Sequence, residues 1–153
     1  MGLPNLYICH TAYQVLVELV RAMEDTVAPD LILSSVIPNT EELAGRLSAT
    51  GLFRCVRVFD EEACGNAIQT GFLRTLLLQR IMGRRNVEKY YGFSIDPKAY
   101  GAIYIHNDWS VLGRYLQDLK APYVLCEDTM ASTFPPDHPL TAERGTLPHF
   151  KLR

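Results

Sequence analysis

Five short polar clusters follow five apolar runs in this chain: His10 and Thr11, Ser34 and Ser35, Asp60 to Glu62, His106 to Asp108, and Glu127 with Asp128. Such imidazoles, hydroxyls and carboxylates can move protons or hold polar ligands. Several chemistries are excluded by what surrounds them. The turn from Cys9 to Ala12 has no glycine, so its backbone cannot approach a pyrophosphate as a GxGxxG turn does, and no P-loop is present. Ser34 and Ser35 lack the GxSxG turn that exposes a hydrolase nucleophile. A receiver-type site would need acidic residues after the first apolar run and a lysine after the fifth, where this chain has His10 with Thr11 and Glu127 with Asp128. His10 and His106 have no third ligand at metal spacing along the chain, and Cys9, Cys55, Cys64 and Cys126 form no CxxC pair. The reading is therefore no metal, with buried reduced thiols.

The elements that position these clusters emerge from periodicity. Leu6 to Cys9 predicts a strand, and Thr11 with Gln14 matches a capping box that opens a helix. In that helix Val15, Leu16, Leu19, Val20 and Met23 are expected to face the core, with Glu18, Arg21, Glu24 and Asp25 on the other side. Leu31 to Leu33 is the second strand. Asn39 and Glu42 then open a helix from about Thr40 to Ala49, closed by Gly51. Arg54 to Phe59 is the third strand, followed by an amphipathic segment from Ala67 to about Met82. Ala102 to Ile105, a helix from Asp108 to Leu119 opened by Asn107 or Asp108, and a strand from Pro122 to Cys126 complete the series. Trp109 is expected to fill the interface between helix and sheet.

Strands alternating with helices imply parallel neighbours joined by crossovers, and ligands of such sheets bind beyond the carboxyl ends of the strands. The predicted fold is a Rossmann-like three-layer α/β/α domain with a five-stranded parallel sheet over residues 1–128. Residues 129–153 carry Pro135, Pro136, Pro139 and Pro148 without periodicity and read as a proline-rich tail or linker.

Composition agrees with one globular domain: 153 residues, 48% hydrophobic and 21% charged, with 15 Lys and Arg against 17 Asp and Glu. The net charge of −2 argues against nucleic acid as a partner. No apolar run reaches the ~18 residues of a spanning helix and Met1 to Asn5 lacks secretory-signal character, so a cytoplasmic location is expected. Arg74, Arg80, Arg84, Arg85 and Lys89, beside the apolar stretch from Phe72 to Met82, suggest peripheral contact with anionic lipid at the inner face of the membrane.

The run Cys9-His10-Thr11-Ala12-Tyr13-Gln14, the run Tyr104 to Asp108 and the pair Glu127-Asp128 together resemble the N-terminal half of glycosyltransferase family 52. These are bacterial lipooligosaccharide sialyltransferases, related to the bacterial polysialyltransferases, and the resemblance covers about residues 5–130. It implies the N-terminal domain of a GT-B enzyme, in which two Rossmann-type domains face a cleft. The implied reaction transfers sialic acid or a similar sugar from a CMP-sugar donor to a hydroxyl of an acceptor glycan, inverting and without an essential metal, in lipopolysaccharide or other surface-glycan synthesis. The donor site and a His-Pro pair would lie in the second domain, so this chain would be the acceptor-side half, incomplete alone and needing no other cofactor.

By the same resemblance Asp128 is the catalytic base. His10, Thr11, Gln14, Asn107, Asp108 and Glu127 are the expected substrate-binding residues, with Glu127 orienting loop backbone. Two features depart from the family: Thr129 stands where it has glycine, and His138-Pro139 occurs within the tail. The alternative reading is a non-catalytic module, derived from such a domain, that binds glycan or protein. Either way a half-cleft without its second wall is expected to form a homo-oligomer.

Overall fold

The computed structural model describes residues 2–61, 63, 64, 88 and 93–126. β1 (Leu6–Cys9) and β2 (Asp30–Ser34) are buried at every position, the mark of strands covered on both faces. With β3 (Cys55–Phe59), β4 (Ile103–Ile105) and β5 (Val124–Leu125) they form one sheet of order β3-β2-β1-β4-β5. Every neighbouring pair is parallel. This is the expected Rossmann-like α/β sheet, and its strand order reverses between β1 and β4, the place where open parallel sheets leave a crevice.

Two cores lie on the two faces. Tyr7, Cys9, Leu31 and Leu33 pack against Val15 and Ala22 of α1 (Ala12–Glu24) and Ala44 and Leu47 of α2 (Thr40–Ala49). Leu6, Ile8, Ile32 and Ile105 pack against Leu112, Tyr115 and Leu116 of α3 (Val111–Asp118). Each fully buried Leu or Ile contributes about 1.5–3 kcal/mol, so these rows hold the layers together. Alternation along the strands also sets the side on which the next residues emerge. β1 sends Leu6 and Ile8 toward α3, so His10 continues on that side, whereas Tyr104 and His106 of the β4 segment face α1.

Three local expectations change. α1 buries Gln14, Val15, Glu18 and Ala22, while Leu16, Val20 and Met23 are exposed. The helix is apolar around most of its circumference, and Glu18 is drawn inward because His106 and Arg21 are there to meet its carboxylate. α3 opens at Ser110, not Asn107 or Asp108: the Ser110 hydroxyl accepts from the Gly113 N–H, and Asn107 Oδ1 accepts from the Trp109 N–H in the preceding turn. That turn projects Trp109 into solvent instead of the core. It lies so close to α3 that a Cβ on Gly113 would meet the Asp108 backbone at 2.5 Å. Finally, Asn39 precedes α2 in the left-handed region with φ 55° and makes no side-chain cap, the Thr40 hydroxyl bonding back to the Ile37 and Ser34 carbonyls.

All four thiols are free. Cys9 and Cys64 are buried as expected, Cys126 is half-buried and Cys55 is exposed. The amphipathic segment from Ala67 to Met82, the basic cluster from Arg74 to Lys89, Glu127, Asp128 and the tail 129–153 lie outside the described residues. Among the described residues no helix is long and apolar enough to cross a membrane.

Candidate functional site

The turn after β1 is built from its own sequence. Thr11 caps α1 by accepting from the Gln14 N–H, and Gln14 Oε1 accepts from the N–H groups of His10 and Thr11 at 2.6 and 3.2 Å. The expected capping box is therefore present. Gln14 is fully buried, so its amide fixes the turn that carries His10. Glycine is not needed here because the side chain, not a bare backbone, closes the turn.

His10 meets a carboxylate that arrives from the other side of β2. Its Nε2 lies 3.3 Å from Glu61 Oε2, and both side chains are almost wholly buried. Glu61 also accepts from the Ser34 hydroxyl at 2.5 Å and, through Oε1, from the Val111 N–H at 2.7 Å in the first turn of α3. Burial alone would raise this carboxyl. His10, Ser34 and the helix N-terminus outweigh it and hold Glu61 below the usual carboxylate range. The imidazole is less well served. Its approach to Glu61 is off-line for a hydrogen bond, and among the described residues neither His10 ring nitrogen has a hydrogen-bond partner. A buried ring without a hydrogen bond at either nitrogen is uncommon in a folded protein.

The opposite face carries a second pair. His106 Nε2 lies 2.6 Å from Glu18 Oε1, and Arg21 Nη1 donates to both Glu18 oxygens at 3.0 and 3.2 Å. Cys126 Sγ accepts from the same guanidinium at 3.4 Å. Parallel register explains the convergence: Tyr104 pairs with Val124 and Ile105 with Leu125, so one row further His106 stands beside Cys126. Glu18, His106 and Cys126 each offer a ligand atom within 4.8 Å of the others, a set that could hold a metal ion. Spacing along the chain gave His106 no third ligand; the fold brings two. The cationic position among them is taken by Arg21, which also stacks on the Tyr104 ring at 4.7 Å. Burial, reinforced by the nearby Glu18, raises the neighbouring Cys9 thiol, which makes it a core group and not a nucleophile.

Of the expected site residues, His10, Thr11, Gln14, Asn107 and Asp108 do gather at the carboxyl edge of the sheet, the first three after β1 and the last two after β4. His10 and His106 point to opposite faces and so serve two separate pairs. Glu127 and Asp128 lie outside the described residues. Sequence reasoning named Glu61 only as one of three acidic residues after β3, and it placed Glu18 on the solvent side of α1. The signal for Glu18 was its position four residues after Gln14 and three after Val15, which puts all three on one helix face.

No protein-family model, curated protein or solved structure matches this chain. The fold and the site by themselves define a Rossmann-like α/β domain whose strand-order reversal is flanked by two buried histidine–glutamate pairs.

Proposed function

We propose that this domain is the acceptor-side half of an inverting, sialyltransferase-like glycosyltransferase of surface-glycan synthesis. The observation that carries the reading is the buried His10 imidazole at the β1–β4 reversal, paired with Glu61 at 3.3 Å and with no hydrogen bond at either ring nitrogen among the described residues. The motif residues that suggested the family occupy the same edge: His10 to Gln14 shape the turn after β1, and His106 to Asp108 follow β4. In this reading an acceptor hydroxyl enters the crevice and Asp128, shortly after Cys126, takes its proton as the oxygen attacks the anomeric carbon of the CMP-sugar, whose bond to the phosphate oxygen breaks and releases CMP. A base placed this way is worth about 10²–10⁴ in rate. His10 hydrogen-bonds the acceptor and so fixes which hydroxyl is presented, with Glu61 holding the imidazole in place. The CMP-sugar is held by a second, nucleotide-binding half, and no metal takes part.

The test pairs calorimetry with turnover, using lactose as the acceptor probe and CMP-sialic acid as the donor. The chain is expected to bind lactose, and His10→Ala to weaken that binding at least tenfold. Combined with a donor-binding half, the chain is expected to transfer sialic acid, and Asp128→Asn to abolish transfer while leaving lactose binding in place. Binding without any transfer would favour the non-catalytic module instead. Absence of both would overturn the reading.

A further inference from the structure

Helix α1 turns polar side chains inward and apolar ones outward. Gln14 and Glu18 are fully buried, whereas Tyr13, Leu16, Val20 and Met23 are 60, 63, 62 and 71% exposed. The inner side is accounted for, since Val15 and Ala22 join the core and Gln14 and Glu18 are held by hydrogen bonds. The outer stripe plays no part in either core cluster. Its spacing of 3, 4 and 3 residues keeps the four side chains in one seam, the arrangement in which two helices interlock at a shallow crossing angle.

We propose that this stripe is a homodimer interface, in which α1 of one copy packs antiparallel on α1 of a second copy across a two-fold axis. Two features select a second copy and that direction. First, the 3-4-3 spacing is the same read from either end, so the seam is self-complementary, as an isologous contact requires. Tyr13 then lies against Met23 of the second copy, a favourable sulfur–aromatic pairing, and Leu16 lies against Val20. Second, the charges are complementary only in this direction. The first turn of α1 has no acidic residue to match the positive end of the helix dipole, while Glu24 is exposed at the other end. Antiparallel packing places Glu24 of each copy at that uncompensated N-terminus; parallel packing would set Glu24 beside Glu24. Arg21 is not available for this purpose, being bound to Glu18 and Cys126. A contact made by one helix pair is at the small end of specific interfaces, below roughly 1,200 Å² in total, which corresponds to weak, micromolar association. Because α1 begins at the turn carrying His10, the dimer would fix the acceptor crevices of its two copies relative to one another.

Sedimentation velocity across a concentration series, joined to cysteine cross-linking, tests this. The chain is expected to show a monomer–dimer equilibrium, with Val20→Glu weakening it at least tenfold and leaving the melting temperature within a few degrees. With Cys55→Ser in every chain to remove the exposed thiol, a mixture of Leu16→Cys and Val20→Cys chains is expected to give a cross-linked pair under oxidation, and Leu16→Cys alone is not. A monomer at every concentration would overturn the proposal. So would association that Val20→Glu leaves intact, or Leu16→Cys chains that cross-link to themselves in preference to the mixture. Unfolding of Val20→Glu in a strictly monomeric protein would show that the stripe is covered from within the same chain, and would also overturn it.

Discussion

The two edges of the sheet solve the same problem differently. At the amino edge, Asp30 is gripped by Arg54 through two hydrogen bonds of 2.8 and 2.6 Å and by the Tyr100 hydroxyl at 3.0 Å. Asp25 accepts from the Tyr7 hydroxyl at 2.6 Å and from Asn5 at 2.9 Å. Each carboxylate there meets a permanent charge or neutral donors that do not titrate near neutrality. At the carboxyl edge the carboxylates of Glu61 and Glu18 meet the imidazole rings of His10 and His106 instead. Among the described residues, the buried side-chain nitrogen or oxygen atoms without a hydrogen bond are both in His10, at that second edge. One edge is finished as structure, and the other retains unused capacity where parallel sheets bind ligands.

Substitution puts this contrast at risk. The largest loss is expected from Glu61→Ala, which strands the Ser34 hydroxyl and the Val111 N–H inside the protein and removes the carboxylate paired with His10. Chemical denaturation should show a loss of about 3 kcal/mol or more, with Glu61→Gln recovering part of it. Gln14→Ala removes one acceptor from two N–H groups and should cost about 2 kcal/mol. Asp30→Asn at the amino edge should cost less than either in the same assay, because its main partner, Arg54, is half exposed and solvent screens the pair. If Asp30→Asn proves the most damaging of the three, the distinction between the edges is wrong.

Acid and alkali act on the two edges in different ways. Burial opposes ionisation of Glu61 and Asp30, but their partners hold both below their ordinary values. Their contribution is present above the unfolded values, about 4.3 and 3.9, and is lost as pH falls through the lower folded ones. Both edges therefore weaken together below about pH 4. In alkali they separate. Cys9 is raised by burial, and Tyr7 and Tyr100 are raised by burial and by Asp25 and Asp30 respectively. Stability from such groups is present below the unfolded pKa and is lost as pH rises through the folded one. The loss should involve Cys9 from above about pH 8.5 and the amino-edge tyrosines from above about pH 10. Denaturation midpoints measured against pH should flatten in the first window for Cys9→Ala and in the second for Tyr100→Phe.

Much of the frame was legible in the sequence. Apolar runs at Leu6–Cys9 and Leu31–Leu33 predict buried strands, the second of which the structure extends to Asp30–Ser34, and Thr11 with Gln14 predicts the cap that the structure contains. The site was legible only in part. His10 and His106 could be read from their places after strands, but their partners come from elements distant in sequence: Glu61 lies 51 residues from His10 by numbering, and Glu18 lies 88 from His106. The inward turn of Glu18 was hidden because Leu16, Val20 and Met23 make a stronger apolar pattern than Val15 and Ala22, and periodicity alone cannot tell a core-facing stripe from a partner-facing one. Trp109 misled for a related reason. Its side chain belongs to a turn that ends one residue before the Ser110 cap, so helical phase does not apply to it.

If the carboxyl edge between β1 and β4 is where ligands of this domain enter, amide NMR of the isotopically labelled chain, titrated with lactose, will register it residue by residue. Saturable shifts are expected at His10 to Gln14 and His106 to Ser110, with Asp25, Asp30, Arg54 and Tyr100 unmoved. Shifts confined to the amino edge, or no shift at saturating sugar, would contradict that assignment.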